Sequence, residues 1–230
     1  MRLAENLQGK LQRLRADPVG VVSKRLRQVG KVPFAIHAER ELDRRGYLAP
    51  LRDRPDDAFK PDPCDLWFLY QEVRRQRPRV VFEFGSGCST SIIAQALHDN
   101  GGDARMVSLD AHERWTEVTR DSIPSHLRDI VEVRYSTLSV IELGSSKAYV
   151  HDARPADLVP DFMYVDGPAL TDEVRGAADV VQIEDQLQHG FELVVDGRDE
   201  NVAMLRDHLK RRYSFKSRPL FHNSVLVLQS

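Results

Sequence analysis

From residue 79 onward, short apolar runs alternate with longer stretches in which apolar side chains recur every three or four positions. The short runs read as strands of a buried sheet and the longer stretches as amphipathic helices. This pattern predicts core strands over 79–84, 104–109, 130–135, 161–165 and 191–195, and a closing strand pair over 213–218 and 224–228. Between them it predicts helices over 89–98, stopped by Asn100-Gly101-Gly102, and over 113–123, stopped by Pro124. A longer helix is expected over 171–189, with Thr171 as cap, Asp172 and Glu173 in its first turn and Gly190 at its exit. Asp199 is expected to cap a last helix with Val202, Leu205 and Leu209 on one face. About seven strands with helices between the early ones make an α/β fold with a doubly wound sheet.

Two regions break this rhythm. Residues 139–143 and 147–150 flank Gly144-Ser145-Ser146 and predict a β-hairpin with a three-residue turn, in which Tyr149 and His151 are candidates for substrate contact. Residues 1–60 carry no strand signal. Leu3, Leu7, Leu11 and Leu14 recur at helical spacing, Asp17-Pro18 opens a helix expected to reach about Gln28, and another is expected over 34–45, ending at Gly46. Residues 52–63 read as loop, and 65–73 as a helix stopped before Pro78, with Trp67 and Tyr70 packed in the core. The chain therefore divides into a helical N-terminal extension, 1–60, and one domain, 61–230. Residues 1–45 hold 11 Lys/Arg against 5 Asp/Glu, which suits a solvated helical face. A substrate lid, an arm joining copies into a homo-oligomer and a contact with an anionic surface are the other readings.

Composition narrows the class. With 41% hydrophobic and 30% charged residues the chain is ordinary for a soluble domain, and 230 residues suffice for a full core. A net charge of −2 argues against a general nucleic-acid surface. Cys64 and Cys88 are the only cysteines, which favours a reducing compartment and offers no zinc framework. No run approaches the length of a membrane span and the first residues lack a signal core, so the cytoplasm is the expected location.

The candidate chemistry gathers at the end of the first strand. In Glu83-Phe84-Gly85-Ser86-Gly87, two glycines without a Cβ allow close backbone approach to a ligand. Ser89 and Thr90 stand where hydroxyls can cap the following helix. Asp110 ends the second strand 23 positions past Gly87, near the distance at which an acid takes ribose hydroxyls in nucleotide-binding sheets. The third glycine of the dinucleotide pattern is absent, since Thr90 stands there, so a nucleoside without a pyrophosphate fits better. Glu83 at the strand end suits a cationic ligand.

These residues, with Tyr164-Val165-Asp166-Gly167-Pro168 further on, resemble the class I S-adenosylmethionine-dependent methyltransferases over about residues 79 to 230. The resemblance implies a Rossmann-like sheet with one reversed strand and S-adenosylmethionine as cofactor. It implies that Glu83, Gly85, Ser86 and Gly87 hold the methionine part, with Ser89 and Thr90 beside them. Asp110 would take the ribose, Ser136 and Thr137 would border the adenine, and Asp166 would face the methyl centre as the catalytic residue. Trp115, just past Asp110, is a further candidate to cover the adenine, or simply a helix packing residue. A metal-dependent branch places an acid after strand four and an Asp-Asn pair after strand five. Here Asp166 and Asp196 match and Gly197 does not, so Mg²⁺ stays open, with the balance against a required metal. The general base is unassigned among His151, His189 and His222. The expected function is O-methylation of a small-molecule or sugar-like acceptor. The alternatives are a nicotinamide-dependent oxidoreductase and a catalytically silent methyltransferase-like binding protein.

Overall fold

The computed structural model describes residues 18–218, 221 and 223–230. Leu3, Leu7, Leu11, Leu14 and His222 lie outside the described residues. Helix α1 spans Pro18–Arg44, α2 is the short turn Ala49–Arg52, and α3 is Pro63–Gln76. Then come β1 (Val80–Phe84), α4 (Cys88–Asn100), β2 (Arg105–Asp110), α5 (Glu113–Ser122) and β3 (Val131–Tyr135). A hairpin of β4 (Leu138–Leu143) and β5 (Ser146–His151) precedes β6 (Phe162–Val165). The chain closes with α6 (Asp179–Ile183), β7 (Glu192–Asp196), α7 (Asp199–His208), β8 (Tyr213–Arg218) and β9 (Asn223–Leu228).

Seven strands form one sheet in the order β3-β2-β1-β6-β7-β9-β8. Neighbours from β3 to β7 are parallel, and β9 runs antiparallel between β7 and β8. The sheet is doubly wound with a single reversed strand. Its order turns back between β1 and β6, and the carboxyl ends of the five parallel strands share one edge. In such sheets ligands bind outside that edge, at the reversal.

Alternation along each strand builds two cores. Val81, Met106, Phe162, Tyr164 and Val194 face one layer with side chains of α1, α3 and α4. Phe82, Phe84, Val107, Leu109, Met163 and Leu193 face the other, with α6, α7 and the hairpin. Because both faces are covered, the strands are almost continuously apolar rather than alternating with polar residues. Glu83 in β1, Ser108 in β2 and Glu192 in β7 are buried polar exceptions, and Glu83 is fully enclosed near the end of its strand.

Four expectations are corrected. The helices expected to end near Gln28 and to restart at Phe34 are one helix running through Pro33. Ala38 and Leu42, one turn apart and fully buried, seat its C-terminal part against the core, and this packing outweighs the missing proline donor. The helix before β1 starts earlier, because Asp62 accepts a bond from the Cys64 N–H at 2.8 Å and Pro63 occupies the first turn. The hairpin turn has two residues, since Leu143 pairs with Ser146 and Gly144 takes a φ of 59°.

The helix expected over 171–189 is mostly absent: only α6 and a following 3-10 turn, Glu184–Gln186, are helical. Its backbone bonds go to the hairpin instead: Tyr149 N–H donates to the Gly176 carbonyl and Ala178 N–H to the Tyr149 carbonyl, each at 2.8 Å. A Cβ at Gly176 would lie 2.5 Å from Met204 side-chain atoms, so the segment is pressed flat against α7. Thr171 caps only a local turn, accepting from the Val174 N–H.

Candidate functional site

The glycine turn between β1 and α4 is built around a buried acid. Glu83 accepts hydrogen bonds from Ser89 Oγ at 2.6 Å, Thr90 Oγ1 at 2.5 Å and Ser108 Oγ at 2.5 Å. Burial pushes its carboxyl up to about 7, the three hydroxyls pull against that shift, and the charge of Asp166 adds to it. Thr90 Oγ1 also accepts from the Gly87 N–H at 2.9 Å, so one hydroxyl links the acid to the turn. Ser89 spends its hydroxyl on Glu83, and the helix-capping role falls to Thr90 alone. A strand residue, a turn and the first turn of α4 are thereby locked together.

Asp110 fixes the turn from the neighbouring strand. Its Oδ2 accepts from both the N–H and the hydroxyl of Ser86 at 2.9 Å, and its Oδ1 accepts from the His112 N–H at 2.8 Å. The two glycines do different work. Gly85 has φ +98° and lies against Gly167 at the sheet's reversal point, so its missing Cβ serves backbone packing rather than ligand approach. A Cβ on Gly87 would meet no atom within 4 Å, which leaves open space at the start of α4. Ser91, one turn into α4, is buried with its hydroxyl unpartnered among the described residues.

A second group of acids sits at the ends of β6 and β7. Asp196 is pushed up to about 8 by enclosure and by the charges of Asp166 and Asp65, against the pull of Arg198. Asp166, its side chain half-exposed at the strand end, is lifted in the same direction by the surrounding protein, opposed by Arg198. Arg198 donates to the carbonyls of Asp166 and Pro168, the latter at 2.6 Å, and its guanidinium lies 3.9 Å from the Asp166 carboxylate. Asp65, near the start of α3, reaches about 7 through burial and the charge of Asp62, with Lys31 opposing. Asp196, and Asp65 in part, hold protons at neutral pH that free side chains would have released.

The remaining candidates divide. Ser136 is buried, accepts from the Ala153 N–H at 3.0 Å, and receives its place beside the edge through its own N–H bond to the Asp110 carbonyl. Thr137 donates to Asp152 at 2.7 Å on the surface. His151 is enclosed against Phe84 and held by Asp179 at 3.0 Å, which makes it an interior side chain rather than a base facing the edge. His189 lies before β7, at the opposite end of the sheet, with its ring on the Leu228 carbonyl. Trp67 and Tyr70 stack on each other in the core, and Tyr70 bonds Asp99 near the far end of α4. Trp115 is half-buried with Arg114 over its ring at 4.6 Å.

No family model matches the chain, and no curated protein matches it either. Solved structures do. The SAH-bound methyltransferase PaMTH1 of Podospora anserina is 15% identical with a TM-score of 0.54, over 80% of this chain and 86% of that one. A methyltransferase from Geobacter sulfurreducens is 19% identical with a TM-score of 0.50, over 86% and 89%. The chain has the methyltransferase fold. On that fold the shared carboxyl edge, from Gly87 and Asp110 across to Asp166, is the candidate site.

The residues present fit the cofactor the methyltransferase fold implies. Open space at Gly87, a rigid turn, an unpartnered hydroxyl at Ser91 and an acid on the next strand suit a nucleoside joined to a charged amino-acid tail. They fit a metal less well. Asp166 and Asp196 supply two hard donors, Gly197 supplies none, and among the described residues no three His, Cys, Asp or Glu side chains converge. Sequence reasoning passed over Arg198, although a lone arginine two positions past the acid that ends a strand was there to be read. It also passed over Asp65, which reads as an ordinary acid in the first turn of its helix, and Arg54, which lies in a stretch read only as loop.

Proposed function

We propose that this protein is an S-adenosylmethionine-dependent methyltransferase that methylates a hydroxyl of a small-molecule or sugar-like acceptor in the cytoplasm. The observation that carries the reading is the Glu83 cluster, which fixes a glycine turn with open space beside it at the reversal point of a methyltransferase-fold sheet. Among the described residues no helix is long and apolar enough to cross a membrane.

In this reading Glu83 is a positioning residue: it holds the turn through Ser89 and Thr90 while Gly85, Ser86 and Gly87 present backbone to the methionine part. Asp110, already braced by Ser86, offers its outer carboxylate face to the ribose. Ser136 and Thr137 border the adenine. Bound there, S-adenosylmethionine supplies an electrophilic methyl group next to a positive sulfur. The chain's own task is then to align the acceptor and take its hydroxyl proton. Asp166 serves that task, its carboxyl lifted above the ordinary carboxylate range by desolvation. Arg198 steadies the pair through the Asp166 and Pro168 carbonyls. Residues 1–60 are assigned to acceptor access or to the pairing of copies.

The test is turnover. Incubating the full chain with methyl-labelled S-adenosylmethionine and a small-molecule cell extract is expected to move label into a compound that survives protein removal. Label that never leaves the donor over a broad set of extracts would count against catalysis and for a binding role.

A further inference from the structure

The stretch between α2 and α3 is tied down at two points, Asp57 and Asp62. Asp57 pairs with Arg114 of α5 at 2.7 Å. Asp62 caps α3 and pairs with Lys31 at 2.8 Å. The strap so formed borders a pocket of about 340 Å³.

The pocket has an apolar and a cationic side. Leu48 and Leu51 line it from buried positions, and Phe59 lines it with a ring that is 94% exposed. Arg54 and Lys60 bring positive charge, while the two acids on its lining, Glu39 and Asp56, are exposed. The decisive feature is Arg54 itself. Its Nε and Nη1 are closed off from solvent and meet no hydrogen-bond partner among the described residues. Guanidinium donors held this way forfeit their hydration without replacement, so the site gains most from an anion that restores charge-assisted bonds. An exposed aromatic ring on the same pocket favours a ligand with an apolar body.

We propose that this pocket receives the methyl acceptor, and that the acceptor joins an apolar ring or chain to a carboxylate for which Arg54 is the counter-ion. The inference rests on the methyltransferase reading, which makes an acceptor necessary. The lining comes only from residues 39–63 and includes nothing from the glycine turn or the end of β2, so the pocket is not part of the donor site; the pairing of Asp57 with Arg114, four positions past Asp110, draws its wall to the same edge.

The probe is 4-hydroxybenzoate, with 4-hydroxybenzyl alcohol as its uncharged counterpart and inorganic phosphate as a bare anion. Binding to the full chain is read by calorimetry and by saturation-transfer NMR, with and without S-adenosylhomocysteine. The wild-type chain is expected to bind the carboxylate at least tenfold more tightly than the alcohol, and Arg54→Gln to abolish that difference while changing S-adenosylhomocysteine affinity less than threefold. Should Arg54→Gln fail to fold, Phe59→Ala is used; it is expected to weaken carboxylate and alcohol alike and leave their ratio intact. Equal affinity for carboxylate and alcohol overturns the proposal, and so does phosphate binding as tightly as the carboxylate. A tenfold loss of S-adenosylhomocysteine affinity in Arg54→Gln, with 5′-methylthioadenosine unaffected, would give Arg54 to the donor's carboxylate and also overturn it. Failure of the wild-type chain to bind S-adenosylhomocysteine strikes the parent reading instead, and is seen separately from the probe result.

Discussion

Gly85 and Gly167 lie back to back across the reversal point of the sheet, so close that a Cβ on either would stand 2.6 Å from a backbone atom of the other. The turn after β1 and the turn after β6 therefore set each other's position. Gly167→Ala is expected to destabilise the fold by about 1–3 kcal/mol, the range for forcing extra volume into a packed site. Gly85→Ala should cost more, because φ +98° is also unfavourable for alanine. Urea denaturation of both variants checks the order. A Gly167→Ala chain as stable as the parent would mean that the two turns can part without penalty.

That contact also marks the limit of what the sequence made legible. The strands, the closing pair and the hairpin were readable because each strand is a short apolar run bounded by turn residues, whereas the one reversed strand followed only from the family resemblance. The role of Gly85 was not, since a glycine needed for a ligand and one needed for a distant backbone look alike in one dimension. Glu83, Asp110 and Asp166 belong to strand ends that the pattern locates, yet their partners are hydroxyls, an arginine and other acids brought from other segments. The stretch 171–178 misled because its helical spacing is real but its backbone bonds are claimed by β5.

Stability should fall as pH rises through neutrality. Asp65 and Glu83 are lifted to about 7 and Asp196 to about 8, all above ordinary carboxylates. Between the unfolded values near pH 4 and these folded values, the folded chain holds protons that the unfolded chain has released. Their contribution is present at the acid end of that window and is lost on the way to about pH 8. The melting temperature is expected to decline from pH 5.5 to pH 9, and Asp196→Asn to flatten the upper part of the decline. A profile that rises over this range would contradict the assignment.

The end of α1 is part of the core it leads into. Leu42 is fully buried beside Ala38, Leu48 and Leu51, so Leu42→Ala should cost about 2–5 kcal/mol, as for other buried leucines. If the loss measured by denaturation is under about 0.5 kcal/mol, the helix does not support the domain and residues 1–60 fold apart from it.

Asp166→Asn separates chemistry from binding. The side chain is half-exposed at a strand end, so stability should shift by less than about 1 kcal/mol. Activity in an acceptor assay should drop in kcat while donor affinity stays within a few-fold. With Gly197 in place of a third donor, turnover is expected to survive EDTA. Loss of activity in EDTA with rescue by Mg²⁺ would make Asp166 and Asp196 metal ligands, and full activity in Asp166→Asn would return that residue to a turn-forming role.

The central claim is that the open edge beside Gly87 and Asp110 takes S-adenosylmethionine, and calorimetric titration tests it most directly. S-adenosylhomocysteine is expected to bind the full chain at one site with a dissociation constant in the micromolar range, and NAD to give no heat. Binding of NAD with no binding of S-adenosylhomocysteine would contradict the account.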